Sequence, residues 1–313
     1  MRLLVTGACG FIGTNLCLSL LEDGHLVTGV DSLTNNYPIA LKKANMKDLQ
    51  AFSNFKFINQ DLLFGDLDPI IDQMEVIFHL AGHPSVHNSW GTDFQSYTDR
   101  NIVLTQRLLN AAMKARTGRF VYSSSSSVYG KASSTPTKES DQKLPVSPYG
   151  VTKLAAENLV TLFGSELGLS TISLRYFTVY GPRQRPDMAF SKLINASLCG
   201  ETFQLHGEGS QIRDFTYVAD VVNANKLAAT LYPTSGSVFN IGGGAPISMI
   251  DAIELIEGIT KHKIRFETLK LGPGNPMITR ADCSAAENLL GWRPETSLLH
   301  GLESQVEWQK QKL

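Results

Sequence analysis

Two polar side chains are spaced in a way that could move a proton. Tyr149 and Lys153 stand four residues apart, directly after Pro148. On a helix that spacing puts both on one face. An ammonium beside a phenol favours tyrosinate and draws its pKa down towards working pH. Such a phenolate can take the proton of an alcohol while hydride leaves the neighbouring carbon. A tyrosine and a lysine four apart are common by chance, so the pair takes its meaning from its surroundings. Upstream runs Ser123-Ser124-Ser125-Ser126-Ser127-Val128-Tyr129-Gly130, directly after an apolar segment. Ligands bind at the carboxyl ends of parallel strands, so a serine run there reads as a polar site rather than strand filler.

A second set of residues could hold a dinucleotide. Val5-Thr6-Gly7-Ala8-Cys9-Gly10-Phe11-Ile12-Gly13 is a glycine turn between an apolar strand and an amphipathic helix. Gly7 permits the tight turn, Gly10 lets backbone approach a pyrophosphate, and Gly13 permits close helix–strand packing. The helix start then offers free N–H groups and the positive end of its dipole. The spacing is G-x-x-G-x-x-G, which a purely structural turn could share. Asp31 sharpens it, 18 residues beyond Gly13 at the end of the second strand. A carboxylate there accepts hydrogen bonds from both adenosine ribose hydroxyls and repels a 2′-phosphate. No arginine follows within the next ten residues. NAD is therefore expected rather than NADP. Asp61-Leu62 is expected near the adenine, and Leu80-Ala81-Gly82 against the middle of the cofactor.

The elements that must position these groups follow from apolar rhythm. Leu3–Thr6, Leu26–Val30, Phe55–Asn59, Val76–His79, Phe120–Ser123 and Thr171–Arg175 are short apolar runs with little polar alternation, the pattern of strands buried on both faces. Helical patterns lie between them at Ile12–Asp23, Tyr97–Ala115 and Tyr149–Glu166. This alternation predicts an α/β fold, a Rossmann-type doubly wound parallel sheet. After about residue 180 glycines and prolines cut the chain into shorter pieces, with helices expected at Phe190–Leu198, Val218–Leu231 and Ile247–Ile259. The division predicted is 1–180 for the NAD-binding part, with crossover segments near 215–245, and 181–313 mainly for a smaller α/β substrate-binding part.

Composition bounds the partners. The formal net charge is −1, so no global field favours nucleic acid or an anionic membrane. No apolar run reaches the roughly 20 residues of a membrane span. The start, Met1-Arg2-Leu3-Leu4-Val5, runs straight into a strand and does not read as a signal peptide. Cys9, Cys17, Cys199 and Cys283 lie far apart, with no C-x-x-C pair. They read as buried free thiols in a reducing cytoplasm, and no metal site is expected.

Taken together, the glycine turn, His79-Leu80-Ala81-Gly82, Ser123–Gly130, Tyr149–Lys153 and Arg175–Arg183 resemble an extended short-chain dehydrogenase/reductase of the NAD-dependent nucleotide-sugar epimerase and dehydratase group. The resemblance covers essentially the full length. The segment from Arg175 to Phe190 and Ser89-Trp90-Gly91 resemble the UDP-glucuronate 4-epimerases, with Thr178 where most relatives acting on neutral sugars carry asparagine. The resemblance implies that Gly7, Gly10, Phe11, Ile12, Gly13, Asp31, Asn35, Asp61, Leu62, Leu80, Ala81, Tyr122, Tyr149, Lys153 and Tyr176 touch NAD, with Asn101 beneath it. It implies a catalytic set of Tyr149, Lys153 and Ser125. Ser126, Ser127 and Thr178 would face the sugar and its carboxylate. Ser85, Arg185, Ala189, Phe190, Arg213 and Tyr217 would hold the sugar and nucleotide, with Arg213 on the diphosphate. It also implies a homodimer in which Tyr97–Ala115 and Tyr149–Glu166 of each subunit build a four-helix bundle.

Three positions depart from that pattern. His87 replaces the usual arginine of a loop facing the substrate, and a neutral imidazole weakens an anion contact. Gly272-Pro273-Gly274-Asn275 replaces the common Arg-Pro-Gly-Asp, and Cys9 replaces a small residue of the turn. The activity expected is C4 epimerisation of a UDP-sugar, UDP-glucuronate to UDP-galacturonate, through a 4-keto intermediate. The rival readings are a UDP-glucose 4-epimerase, a decarboxylase or 4,6-dehydratase, and a non-catalytic NAD-binding regulator. Dehydrating relatives place Asp-Glu where this chain has Ser125-Ser126, and the complete Tyr149, Lys153 and Ser125 set argues against the regulator.

Overall fold

Seven strands form one parallel sheet: β1 (Arg2–Thr6), β2 (Leu26–Asp31), β3 (Phe55–Asn59), β4 (Val76–His79), β5 (Arg119–Ser125), β6 (Thr171–Tyr176) and β7 (Ser237–Ile241), in spatial order β7-β6-β5-β4-β1-β2-β3. The structure, a computed structural model, describes residues 1–312 except 133, 232–234, 271, 273 and 275. The order reverses between β1 and β4, and a crevice opens above their carboxyl ends at such a reversal. The doubly wound sheet expected from the sequence is therefore present, with β7 added at its edge beyond β6.

Side-chain alternation along the strands feeds two cores. Leu3, Val5 and Phe78 pack with Leu16, Leu20, Val221 and Ala224 from the helices Phe11–Glu22 and Val218–Thr230. Leu4, Ile77 and Phe120 pack on the opposite face with Leu104, Leu108, Ala156 and Val160, from the helices Leu104–Ala115 and Pro148–Ser165. A third core joins Phe190, Leu193, Ile253, Ile256 and Leu302 in the carboxyl-terminal part.

Three helices show how the structure departs from the sequence expectation. The helix expected over Tyr97–Ala115 is interrupted by a π-helical turn at Thr98–Val103 before the regular helix resumes at Leu104. Such wide turns accompany functional sites, and this one delivers Arg100 and Asn101 to the cleft. The helix expected from Ile247 starts at Met249, where Ser248 caps it by accepting a hydrogen bond from the Asp251 N–H. The helix Ile39–Gln50 was not expected at all: its buried residues are Lys42, Asn45 and Leu49, a largely polar inner face without apolar periodicity.

Candidate active site

A cleft of about 410 Å³ runs over the carboxyl ends of the central strands. Its floor begins at the glycine turn. Gly7 has φ +71°, and a Cβ on Gly13 would lie 2.1 Å from the Gly7 carbonyl oxygen. Only glycine permits that approach. No side chain caps the helix Phe11–Glu22 at Gly10, so its first N–H groups face the cleft as a cradle for a diphosphate. The Asp31 carboxylate accepts the N–H of Cys9 at 3.0 Å and of Leu33 at 2.8 Å. An ionised carboxylate has about four acceptor positions, so ribose hydroxyls still find room there. This cradle and this acid fit a dinucleotide.

Around the floor, Asp61 pairs with Arg100 at 2.9 Å. Asn101 accepts the His83 N–H at 2.7 Å and donates to the His83 carbonyl and to Thr152 Oγ1. Asn101 thereby ties the strand-end loop to the helix that carries Tyr149 and Lys153.

The reacting groups sit between β5 and that helix. Ser147 caps the helix by accepting the Gly150 N–H, and Pro148 opens it, a favourable start because proline lacks only an N–H that would be unpaired there. Ser125 and Tyr149 line the cleft together, and the Tyr149 ring meets Tyr97 edge-on at 6.4 Å. Burial pushes the Tyr149 phenol up, while the Ser125 hydrogen bond and the Arg185 charge pull it down. Lys153 donates to the Ser123 carbonyl at 2.5 Å and lies 4.3 Å from the centre of the Tyr122 ring. Burial lowers its ammonium to about 7, against support from Glu157. From the four-residue spacing Lys153 is expected to lower Tyr149. Here Ser125 and Arg185 do so, because Lys153 turns to the backbone of β5.

Behind the site Glu157 accepts Arg175 Nη2 at 2.6 Å, Arg175 Nε at 2.9 Å and the Ser124 hydroxyl at 2.5 Å. Both charged residues are almost fully buried. This paired charge locks β5, β6 and the helix Pro148–Ser165 together.

Ser85, Ser125, Ser126, Ser127, Thr178 and Arg185 also line the cleft. Ser85 holds φ +93°, a conformation that a non-glycine residue adopts only under constraint. Arg185 forks onto Asp187 at 2.9 and 2.7 Å. A smaller recess of about 140 Å³ adjoins the cleft, sharing Ser126, Ser127 and Thr178 with it and adding Arg213. The Arg213 guanidinium donates to the carbonyls of Ile212 and Met277.

The cleft also contains Gly7, Gly10, Phe11, Ile12, Gly13, Asp31, Asp61, Leu62, Leu80, Ala81, Asn101, Tyr149, Lys153 and Tyr176. Five expected contacts lie elsewhere. Tyr122 is buried beneath Lys153 and off the cleft surface. Asn35 points to solvent while Thr34, Asn36 and Tyr37 form the wall. Phe190 is fully buried, stacked on Phe215 at 4.0 Å, because its ring completes the third core. Ala189 begins that same helix outside the cleft, where Met188 takes the lining position. Tyr217 packs against the cores and Tyr180 rather than the cleft. His87 stacks on His206 at 5.7 Å, and burial holds its pKa below the usual imidazole value. Of the 272–275 segment, Pro273 and Asn275 lie outside the described residues, and Gly274 lines the smaller recess. Cys199 is exposed, unlike the buried thiol expected.

Lys42, Tyr37 and His83 line the cleft without having been singled out in the sequence. Lys42 lies on the unexpected helix, so no periodicity marked it. His83 follows the Leu80-Ala81-Gly82 strand end directly, a position that could have flagged it. Among the described residues no three His, Cys, Asp or Glu side chains gather as a metal site, and no helix is long and apolar enough to cross a membrane.

Comparison with known proteins extends this picture. The family described as the NAD dependent epimerase/dehydratase family matches residues 3–242. A Bacillus subtilis (strain 168) protein named uncharacterized UDP-glucose epimerase YtcB is 42% identical, over 98% of this chain and 97% of its own. The UDP-glucuronate 4-epimerase of Thermodesulfobacterium geofontis is 36% identical, over 99% and 96%. The crystal structure of UDP-glucuronic acid 4-epimerase from Bacillus cereus, in complex with UDP-glucuronic acid and NAD, superposes with a TM-score of 0.97 at 42% identity, covering 100% of both chains.

Proposed function

The chain belongs to the NAD dependent epimerase/dehydratase family, and on that premise we propose that it epimerises a UDP-sugar at C4, converting UDP-glucuronate and UDP-galacturonate into each other. The observation that carries this reading is that Ser125, Tyr149 and Lys153 line one end of the cleft that starts in a glycine turn, with Ser125 drawing the Tyr149 phenol down. The Bacillus cereus likeness, a structure holding UDP-glucuronic acid and NAD, supports the choice of sugar.

Bound NAD supplies the hydride acceptor for the outward step and the donor for the return. Tyr149 takes the proton of the sugar 4-hydroxyl, with Ser125 sharing it. Ser125 and Arg185 favour the charge that develops there, and Lys153 would hold the nicotinamide ribose. The sugar, now ketone at C4, turns its other face, and Tyr149 returns the proton to the new alkoxide. The cofactor ends each cycle unchanged, so none need be added.

A uronate imposes a further demand. The 4-keto sugar is a β-keto acid and loses CO₂ when the C5–carboxylate bond stands perpendicular to the carbonyl plane. Ser126, Ser127 and Thr178 are short hydroxyl donors on the cleft, and their directional hydrogen bonds hold the carboxylate away from that geometry. Arg213 would serve the diphosphate, and Arg185 the nucleotide and sugar.

The test is incubation of the purified protein with UDP-glucuronate and no added NAD, followed by proton NMR of the sugar. UDP-galacturonate is the expected product. A UDP-pentose would move the chain to the decarboxylases. Turnover of UDP-glucose alone would favour the second reading, a UDP-glucose 4-epimerase, which the name of the Bacillus subtilis relative supports.

The same proposal covers assembly and setting. Val103, Val151 and Leu162 stay 45%, 47% and 50% exposed on the two expected bundle segments, which supports a homodimer through them. The NAD-binding and substrate-binding division and a cytoplasmic location complete the reading.

A further inference from the structure

Lys42 is 4% exposed and lines the cleft beside Asp31. Its Nζ donates to the Thr34 carbonyl at 2.8 Å, to Thr34 Oγ1 at 3.1 Å and to Asn36 Oδ1 at 2.8 Å. It also lies 4.8 Å from the centre of the Tyr37 ring. An ammonium has three donors, and here all of them go to one short segment. Among the described residues no carboxylate hydrogen-bonds it; the Asp31 charge favours the ammonium, while its hydrogen bonds serve that segment.

The segment needs holding. Leu33 has φ +50°, a left-handed conformation that leucine adopts only when its surroundings impose it. Asp31 supplies one constraint by accepting the Leu33 N–H at 2.8 Å, and Lys42 supplies the next. Thr34, Asn36 and Tyr37 then stand as a wall of the cleft beyond Asp31. The helix behind Lys42 is anchored in turn. Asn45 donates to the Cys9 carbonyl in the glycine turn at 3.1 Å, and Arg183 reaches Asn45 and Asp48, each at 2.8 Å.

We propose that Lys42 is a positioning residue for the cofactor, latching the 34–37 segment across the adenosine end of the cleft and so setting how slowly the resident dinucleotide leaves. This rests on the NAD reading above. An epimerase that regenerates its cofactor every cycle gains from slow release, and a wall fixed before binding avoids ordering a loose loop each time.

The test uses Lys42→Met, which keeps the methylene chain and removes the donors, and Asn36→Ala, which removes one acceptor. Two readouts are independent of turnover: NAD released per protomer on denaturing the purified protein, and the rate at which bound NADH fluorescence decays in a chase. Lys42→Met should lose most resident NAD on gel filtration and release NADH about tenfold faster or more. Asn36→Ala should move both readouts the same way by less. The KM for the sugar, with NAD added in excess, should not change. Equal occupancy and equal release in Lys42→Met and wild type would overturn the proposal. If Lys42→Met does not fold, an unchanged release rate in Asn36→Ala overturns it instead. A wild-type protein that neither contains nor binds the dinucleotide overturns the NAD reading itself.

Discussion

His79 Nε2 and Thr105 Oγ1 lie 2.9 Å apart at the end of β4, and that bond fixes which imidazole nitrogen carries the proton. Thr105 spends its own proton on the Asn101 carbonyl at 2.6 Å, so it can only accept from Nε2–H. Nδ1 is then the acceptor of the Thr6 hydroxyl at 2.9 Å, and Thr6 accepts the Ala81 N–H at 3.1 Å. One neutral imidazole thus links the glycine-turn strand, the strand-end loop and the helix after the π turn.

That neutrality has a pH signature. Burial, reinforced by the Lys153 charge, lowers His79 to about 3, against about 6.5 in an unfolded chain. Between those values the unfolded chain binds a proton that the folded one refuses, so stability falls as pH drops from about 6.5 towards 3 and is unaffected above. Thermal melts at pH 7 and pH 5 should show His79→Gln losing less stability than wild type, by about 2 kcal/mol. Equal losses would remove His79 from the acid response.

Tyr149→Phe should lower kcat by about 10³-fold or more while NAD content of the purified protein is unchanged, since only the proton-transferring oxygen is lost. Ser125→Ala should act differently. Activity needs the phenolate, so it rises with pH on its acid limb. Removing the Ser125 hydrogen bond removes a contact that lowers Tyr149, and the limb should move to higher pH. Profiles of kcat/KM against pH for both proteins check this, and an unshifted limb would speak against Ser125 as the partner.

Thr178→Val keeps shape and removes a hydroxyl at the cleft. If the hydroxyls restrain the uronate carboxylate, this variant and Ser127→Ala should divert part of the 4-keto sugar to CO₂ and a UDP-pentose. Proton NMR of the product mixture reads the ratio. A variant that slows without forming any pentose would assign the restraint to other groups.

Glu157→Gln should destabilise the fold by about 3–5 kcal/mol, because it leaves the buried Arg175 guanidinium without its ion-pair partner. Replacing both, as Glu157→Leu with Arg175→Met, should recover most of that loss. Urea titration of the single and double variants distinguishes a structural pair from one whose charge the site requires. A double variant that is stable yet slow would mean the charge matters to Lys153 as well.

Much of the site was legible because its cues are local. Gly7 and Gly13 are required by a single turn, and Tyr149 and Lys153 by a single helix face. Asp31 is marked by its place at a strand end. The strands read correctly because each is a short apolar run, and all but the partly exposed edge strand β3 are buried on both faces. Phe190 and Tyr217 misled for the opposite reason. Nothing within a few residues of either says whether its ring fills a core or a cleft, and here both rings pack inward with Tyr180.

By itself the sequence determined the parallel α/β sheet, the dinucleotide turn and the tyrosine–lysine pair, since backbone geometry and apolar periodicity act over a few residues. Tertiary structure alone decided three things. It brought β7 to the sheet edge beside β6, more than sixty residues away in the chain. It turned Lys153 to the Ser123 carbonyl and left Tyr149 to Ser125. It folded Lys42 back onto Thr34 and Asn36 from a helix with no apolar stripe to announce it. Each is a choice of partner for a buried polar group or a strand edge. Such choices depend on which elements pack side by side, because an unpaired polar group in the interior is costly wherever its partner lies in the chain.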